Sequence, residues 1–475
     1  MNPPVSFCCE NVFMIDLGIQ YLPNSISEDV ASHPDIKTRH YAIIGAGAAG
    51  LCAIKYLLQA GANNITCYEI GTKVGGLWCY ENDNGLSSAY SCLHINTART
   101  LTRFSHMDLP PETLDFPHHT EMYKYFVDYA DKFDLKKYIR FNSRVTDIRR
   151  APAYSHEQPK WQVETHSGQI NEFDAVIVAS GHLSHPRHIP MFKDEFGGDY
   201  LHSHYYRKPI KYADQKVCIV GGSNSAFDVT ADVCTVAEKT VMVARSPVVI
   251  LPKTVFGIPF RNITLHFDRV FVPAKLRRWV NEFLTLMMHG DMTKLGFKPQ
   301  THWQHATSNG TLVNQIKYGR VTVKNGIERI EGKRIFFSDG SSEVFDTLIA
   351  STGYKLDLPF FKPDIISTDG DHLNLYQRIA PLDHKGLYFL GYVNTTIALV
   401  LMFEHQMKWI LEHDSGNCEL PDKTEMEHSI KAKKIWIEAR YGGSERYSLE
   451  EPHVFYFPEL KKSIADGKKR RQSRF

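Results

Sequence analysis

The segment Tyr41-Ala-Ile-Ile-Gly45-Ala-Gly47-Ala-Ala-Gly50 constrains this chain more than any other. Its glycines have the spacing G-x-G-x-x-G, directly after a short apolar strand (Tyr41–Ile44) and before a helix-compatible run from Leu51 to Ala60. In such a unit the three glycines provide a tight turn, close approach of backbone to a pyrophosphate, and close packing of helix on strand. The helix start adds free N–H groups and the positive end of its dipole. A second strand, Ile65-Thr-Cys-Tyr-Glu69, ends in an acid 19 positions after Gly50 (69 − 50). A carboxylate there can accept from a ribose hydroxyl pair. A glycine triplet alone is weak evidence. Strand, turn, helix, strand and terminal acid in register predict a dinucleotide-binding unit.

A second turn repeats the plan with altered chemistry. Lys216-Val-Cys-Ile-Val-Gly221-Gly-Ser223-Asn224-Ser225-Ala-Phe-Asp begins as a buried strand and enters a helix through Ser223, Asn224 and Ser225. The pattern is G-x-S-x-S-A, with serine in place of the second glycine. Small residues still permit close backbone approach, and the hydroxyls add donors to phosphate. About 20 positions further, Thr240-Val-Met-Val-Ala-Arg245 closes a strand with arginine instead of an acid. Arginine can bind a 2′-phosphate through paired charge-assisted bonds where an acid would repel it. The bland alternative is a surface charge at a strand end. NADP is therefore expected over NAD. One acidic and one basic site together suggest FAD and NADPH, a pairing that reductases and oxygenases share. Disulfide reductases carry two redox cysteines after the first site. Here Cys79 follows Gly75-Gly76-Leu77-Trp78 but position 84 is Asn84, so a dithiol mechanism is not expected.

At 475 residues, 43% hydrophobic and 23% charged, the chain has the composition of a soluble globular protein of two or three domains. A net charge of +2 gives no reason to expect nucleic acid as a partner. The nine cysteines lack zinc-site or disulfide-framework spacings and mostly fall in segments that read as buried, which suits a reducing, cytoplasmic setting. The longest apolar run, Thr395 to Phe403, is about half the eighteen residues of a membrane span. Residues 1–37 lack signal-peptide order and are read as an extension. The basic end, Lys468-Lys-Arg-Arg-Gln-Ser-Arg-Phe475, is read as a solvated, frayed terminus.

Between the two turns, Phe196-Gly-Gly198-Asp-Tyr-Leu-His202-Ser-His-Tyr-Tyr206-Arg207 has the spacing F-x-G-x-x-x-H-x-x-x-Y. Here the chain resembles the flavin-containing monooxygenases, the single-component FAD and NADPH family, over roughly residues 38 to 420. Gly75-Gly76-Leu77-Trp78 is similar to that family's flavin-side Gly-Gly-x-Trp. Ile95-Asn96-Thr97 is similar to its segment bearing the asparagine beside the flavin C4a. Ala350-Ser-Thr352-Gly353-Tyr354 is similar to its Ala-Thr-Gly-Tyr segment with Ser351 inserted. Glu404-His-Gln406-Met-Lys-Trp409 is similar to its late Glu-x-Gln-x-x-Trp segment. Baeyer–Villiger monooxygenases end the central spacing in Trp followed by Pro or Asp, so Tyr206-Arg207 favours the branch that oxygenates nitrogen and sulfur.

The resemblance implies an enzyme that uses NADPH and O2 to form a flavin C4a-hydroperoxide and oxygenates a soft nucleophile in a small molecule. Ketone oxygenation and an NADPH oxidase or reductase are the alternatives. Asn96 is the expected catalytic residue, against a plain loop-capping role. The expected cofactor contacts are Gly45, Gly47, Gly50, Glu69, Gly76, Leu77, Trp78, Asn96, Thr97 and Val145 before the second turn. They continue with Gly221, Ser223, Asn224, Ser225 and Arg245, and then Thr352, Gly353 and Gln406. His202 is read as an interdomain residue and not as a proton donor. No metal cluster is expected, since a cofactor carries the chemistry.

The expected fold is α/β, two Rossmann-like dinucleotide-binding domains with the NADP domain inserted in the FAD domain. An extension (1–37) precedes the first FAD-domain segment (38–211), the NADP domain (212–324), the second FAD-domain segment (325–425) and a helical C-terminal extension (426–475). Asp339-Gly340 marks a hairpin. Leu276, Trp279, Val280, Phe283, Leu284, Met287 and Met288 form a helical apolar stripe, expected to pack on the nucleotide domains or at a subunit interface. In the extension, Ile430, Ile435, Trp436 and Ala439 are placed on one face. His302-Trp-Gln-His305 is read as a loop. The sequence permits a homodimer without requiring one.

Overall fold

The computed structural model describes residues 34–265, 272–299, 304–368, 372–443 and 445–473. In chain order the elements that position the site begin with β1 (His40–Ile44), α1 (Ala48–Gln59), β2 (Asn64–Tyr68), α2 (His119–Lys132), β3 (Ile139–Arg140) and β4 (Ala175–Val178). Next come β5 (Asp199–His202), β6 (Lys216–Val220), α3 (Asn224–Val233), β7 (Lys239–Val243), α4 (Ala274–His289) and β8 (Val321–Lys324). The chain ends through β9 (Thr347–Ala350), β10 (Leu387–Phe389), α5 (Leu399–Asp414), α6 (Lys423–Tyr441) and α7 (His453–Gln472).

Two five-stranded parallel sheets result, in the orders β10-β4-β1-β2-β3 and β8-β7-β6-β9-β5. Their strands read as unbroken apolar runs because both faces are covered. Tyr41, Ile43, Ala175 and Ile177 face a core shared with α1, α2 and α5, while Ala42, Ile44, Val176 and Val178 face Trp161 and Val163 of a three-stranded antiparallel sheet. The second sheet repeats this arrangement. Val217, Ile219 and Met242 pack with Ala226 and Phe227 of α3, and Cys218, Val220, Val241 and Val243 pack on Ile330, Ile335 and Phe337 of another antiparallel trio. The second of these trios turns at Asp339-Gly340 as expected, with Gly340 at φ 81°.

Sheet membership departs from the expected domain limits. Asp199–His202 and Thr347–Ala350, assigned by position to the flavin-side halves, both pair in the second sheet, next to Lys216–Val220 or one strand beyond it. A four-residue apolar strand does not declare which sheet receives it, and β9 is matched to β6 by register (Val217 to Thr347, Val220 to Ala350).

The C-terminal segment also differs from expectation. The basic end is helical through Gln472 and docked: Lys468 pairs with Glu412 at 3.0 Å, and Arg470 Nε donates to Glu419 O at 3.2 Å. Gly467 allows this approach, because a Cβ there would lie 2.9 Å from Glu419 O. In α6 the inward face is Met426, Ile430, Ile437 and Tyr441, whereas Ile435 and Ala439 are exposed. The stripe on α4 packs on the NADP-side residues only in part. Trp279 and Phe283 stack on each other at 5.4 Å and stay 59% and 46% exposed, and only Leu284 joins a small core with Leu251 and Phe260. His302 and Trp303, like residues 1–33, lie outside the described residues. Among the described residues no helix is long and apolar enough to cross a membrane.

Candidate functional site

The first turn is built by contact distances that admit no side chain. A Cβ on Gly50 would sit 1.9 Å from Gly45 O, and one on Gly45 would sit 2.9 Å from Ala179 O at the end of β4. Gly47 ends the turn as the residue preceding α1, with no side-chain cap, so the first N–H groups of α1 remain for a ligand. The Gly75-Gly76 segment is drawn against it: Gly75 N donates to Ala46 O at 3.0 Å, and a Cβ on Gly76 would lie 3.1 Å from Gly47 Cα. Leu77 and Trp78 complete a short 3₁₀ turn, with Leu77 O accepting from Ser87 Oγ and Trp78 beside Phe126.

Glu69 follows β2 and is buried. Its two oxygens accept from Ala46 N at 2.8 Å and Gly71 N at 2.9 Å. Asn84 Nδ2 also donates to Oε1 at 3.4 Å, so Oε2 is the oxygen with a second lone pair left for a ribose. Ser143 N donates to Glu69 O at 2.8 Å, which brings the segment leading into Val145 beside this turn.

The second turn is looser. Gly221 is again needed for proximity, since a Cβ there would lie 2.6 Å from Ser351 O, but Ala226 stands where the first turn has Gly50. Ser223 precedes α3 and its hydroxyl makes no cap bond, so it is available to phosphate together with the N–H groups behind Asn224 and Ser225. Arg245 lies two residues past β7 and is exposed. Thr352 Oγ1 donates to Arg187 O at 2.5 Å, and Gly353, at φ 82°, accepts from Arg187 N at 2.9 Å, which fixes the loop after β9.

Asn96 reaches the start of α3 behind the second turn. Its Nδ2 donates to Asn224 Oδ1 at 2.9 Å across 128 residues of chain, while its own Oδ1 is buried with no hydrogen-bond partner. An orphaned buried acceptor at this place suits a ligand donor. Thr97 is turned inward, with Oγ1 2.6 Å from Thr102 Oγ1. Gln406 is committed to the protein: Oε1 accepts from Gly391 N at 2.9 Å and Nε2 donates to Tyr456 OH at 2.8 Å. Val145 is half-buried at the edge of the antiparallel trio under the first sheet.

The central signature packs within the half built on the second sheet. Phe196 is buried, and a Cβ on Gly198 would lie 2.4 Å from Asp346 O. His202 is buried at the end of β5; burial, with His188 and His204 nearby, pushes its pKa down to about 4. It is neutral near pH 7. Tyr206 OH donates to Asp232 Oδ2 at 2.6 Å.

The sequence reading missed Asp228, one turn along α3 from Asn224. It accepts from Tyr90 OH and from Asn309 Nδ2, each at 2.7 Å. Burial pushes its carboxyl above the usual range, against those bonds and the nearby Lys253 charge. Burial in turn pushes the Lys253 ammonium, which lies over the Phe116 ring, below its ordinary value. The signal was present as Asn224, Asp228 and Asp232 at four-residue spacing in a helix.

Two glycine-walled turns, one with a buried acid and one with an exposed arginine and an unsatisfied asparagine bonded to its helix, fit FAD and NADPH respectively. Comparison with known proteins agrees. The sequence matches the family described as FMO-like, flavin-binding monooxygenase-like, over residues 38–470. It is 29% identical to flavin-containing monooxygenase 5 of Rattus norvegicus over 440 residues, 89% of this chain and 82% of that one. Among solved structures it resembles the S-allyl-L-cysteine S-oxygenase of Allium sativum (TM-score 0.67, 24% identity, 91% and 88% of the two chains). It also resembles the NADP+-bound cyclohexanone monooxygenase of Rhodococcus sp. Phi1 (TM-score 0.67, 16% identity, 91% and 98%). Both structures share the fold of two nucleotide-binding domains. The chain belongs to the flavin-binding monooxygenase family and is an NADPH-dependent, FAD-using monooxygenase.

Proposed function

We propose that this chain oxygenates a soft nitrogen or sulfur nucleophile of a small molecule, with Asn96 as the catalytic residue. The observation that carries the reading is the 2.9 Å bond from Asn96 to Asn224 together with the unpartnered Asn96 Oδ1. Bound FAD, reduced by NADPH, supplies the oxygen-activating chemistry. The chain's own residues bind, orient and exclude water. The glycine-walled turn at Gly45–Gly50 and the carboxylate of Glu69 hold the flavin nucleotide. Ser223, Ser225 and Arg245 hold NADPH, with the Arg245 guanidinium toward its 2′-phosphate. Asn96 orients the reacting end of one nucleotide against the other, and exclusion of water there limits loss of activated oxygen as peroxide.

Tyr206-Arg207 in place of Trp followed by Pro or Asp favours nitrogen and sulfur over ketone oxygenation. The S-oxygenase from Allium sativum has a similar fold, which adds support from fold alone. A cytoplasmic, reducing setting fits the free cysteines Cys52, Cys67, Cys79, Cys92, Cys218, Cys234 and Cys418. The test is NADPH consumption by the purified holoenzyme with tertiary amines, thioethers and ketones, with product and hydrogen peroxide both counted. Amine N-oxide or sulfoxide in yield comparable to NADPH consumed supports the reading. Ester or lactone from ketones alone, or peroxide alone, contradicts it.

A further inference from the structure

We propose that one face of α3 is a strut holding the flavin-side segment and the NADPH-side turn in register, with Tyr90 and Tyr206 as positioning residues for the Asn96–Asn224 contact. Asn224, Asp228 and Asp232 stand at four-residue intervals and so share one face of the helix. Each is an acceptor for a group from outside the helix. Asn96 Nδ2 reaches Asn224 at 2.9 Å, Tyr90 OH reaches Asp228 at 2.7 Å, and Tyr206 OH reaches Asp232 at 2.6 Å. Two of the three donors, Tyr90 and Tyr206, are tied to each other. Tyr90 and Tyr206 meet edge to face at 6.0 Å, Ser91 N donates to Arg207 O at 2.7 Å, and Arg207 donates to Ser87 O at 2.9 Å. The segment 87–91 and the linker after β5 therefore grip α3 as one body, with Asn96 five residues further along the same chain.

The remaining faces of α3 are apolar, with Ala226, Phe227, Val229 and Val233 in the core of the second sheet. Packing alone would have been served by an apolar third face. Hydrogen bonds in a low-dielectric setting instead fix direction as well as proximity. Asp228 is braced from behind by Asn309, whose Oδ1 accepts from Leu312 N at 2.8 Å. The terminal tyrosine of the F-x-G-x-x-x-H-x-x-x-Y spacing closes the last rung of the strut. The proposal rests on the oxygenation reading for its functional consequence, but the strut itself is testable without turnover.

The experiment uses the FAD holoenzyme of Tyr90→Phe, Tyr206→Phe and the double variant, each read by amide hydrogen exchange with and without NADP+ and by the peroxide share of NADPH consumed. In Tyr90→Phe, exchange in residues 87–97 should rise about tenfold and the peroxide share about threefold, with FAD content and exchange in β1 unchanged. Asp232→Asn, which keeps an oxygen for Tyr206, should stay as wild type, and Asp232→Ala should follow Tyr206→Phe. Wild-type exchange in residues 87–97 of the double variant overturns the strut. So does a joint loss of FAD and of β1 protection in Tyr90→Phe, since that marks a residue serving only the fold. If the unaltered enzyme sends all NADPH equivalents to peroxide, the oxygenation reading fails and the exchange data still decide the strut.

Discussion

The turn at Gly45–Gly50 and the turn at Gly221–Ala226 each lead a parallel strand into a helix, yet they tolerate different side chains. In the first, a Cβ on Gly50 would lie 1.9 Å from Gly45 O; in the second, Ala226 carries a Cβ at the equivalent place. The first turn is closed by a buried Glu69 that accepts from Ala46 N, whereas the second faces an exposed Arg245. A tight, acid-locked cradle suits a nucleotide that stays bound. A looser turn with hydroxyls and a solvent-facing cation suits one that exchanges. The difference in chemistry between the two turns thus matches the difference between a resident cofactor and a cosubstrate.

The strongest challenge to this contrast is a methyl group in each turn. Gly50→Ala should yield protein that purifies without flavin absorbance, whereas Ala226→Gly should keep its FAD and cost about 1 kcal/mol in chemical denaturation. A yellow Gly50→Ala protein would remove the basis of the comparison.

Acid should act on both halves, on the second through the buried His202 of β5 and on the first through α5, which carries His405 and His413. Burial pushes both pKa values down to about 3 from 6.5. Their stabilising contribution is therefore complete above about pH 6.5 and is lost as the pH falls toward 3, because the unfolded chain takes up protons that the fold refuses. At pH 5 the loss should be about 2 kcal/mol for each histidine. Urea unfolding at pH 7 and pH 5 measures it, and replacing both histidines by leucine should remove about 4 kcal/mol of the difference, the rest staying with His106, His119, His182, His202 and His384, which burial pushes down to about 4. An unchanged pH difference in that variant would locate acid sensitivity elsewhere.

Arg245→Ala should raise the KM for NADPH about 10- to 100-fold and leave NADH nearly untouched, as expected for loss of a charge-assisted pair to the 2′-phosphate. Equal effects on the two nucleotides would return Arg245 to a surface charge. The smallest effect belongs to Ser223→Ala. Its hydroxyl caps nothing in the protein, so thermal stability should hold while NADPH binding weakens by about 1 kcal/mol. A fall in stability with unchanged NADPH binding would assign Ser223 to the fold.

Much of this was legible in the sequence because glycine spacing and apolar runs are local. β1, the turn at Gly45 and β6 were placed within a residue by such signals. Sheet membership of Asp199–His202 and Thr347–Ala350 was not legible, because pairing partners are chosen by three-dimensional register and not by the strand's own residues. Asp228 and Asp232 were overlooked for a related reason. Their partners Tyr90 and Tyr206 lie 138 and 26 residues away, and an acid in a helix reads first as a solvated charge. The basic C-terminal helix was taken for a frayed end because its acceptors, Glu412 and Glu419, come from a different helix and its following loop. The apolar stripe on α4 shows a different case, a periodic face left mostly uncovered within the chain. Helical periodicity identifies a face, but not whether a neighbour covers it.

The proposed role of Asn96, bonded to Asn224 behind the second turn, is to make NADPH equivalents reach a substrate instead of leaking. The most direct measurement is the ratio of oxygenated product to NADPH consumed, in the unaltered enzyme and in Asn96→Ala, at equal FAD content. A near-unit ratio that collapses to mostly hydrogen peroxide in Asn96→Ala, with NADPH oxidation retained, is the predicted result. An unchanged ratio in Asn96→Ala would contradict it.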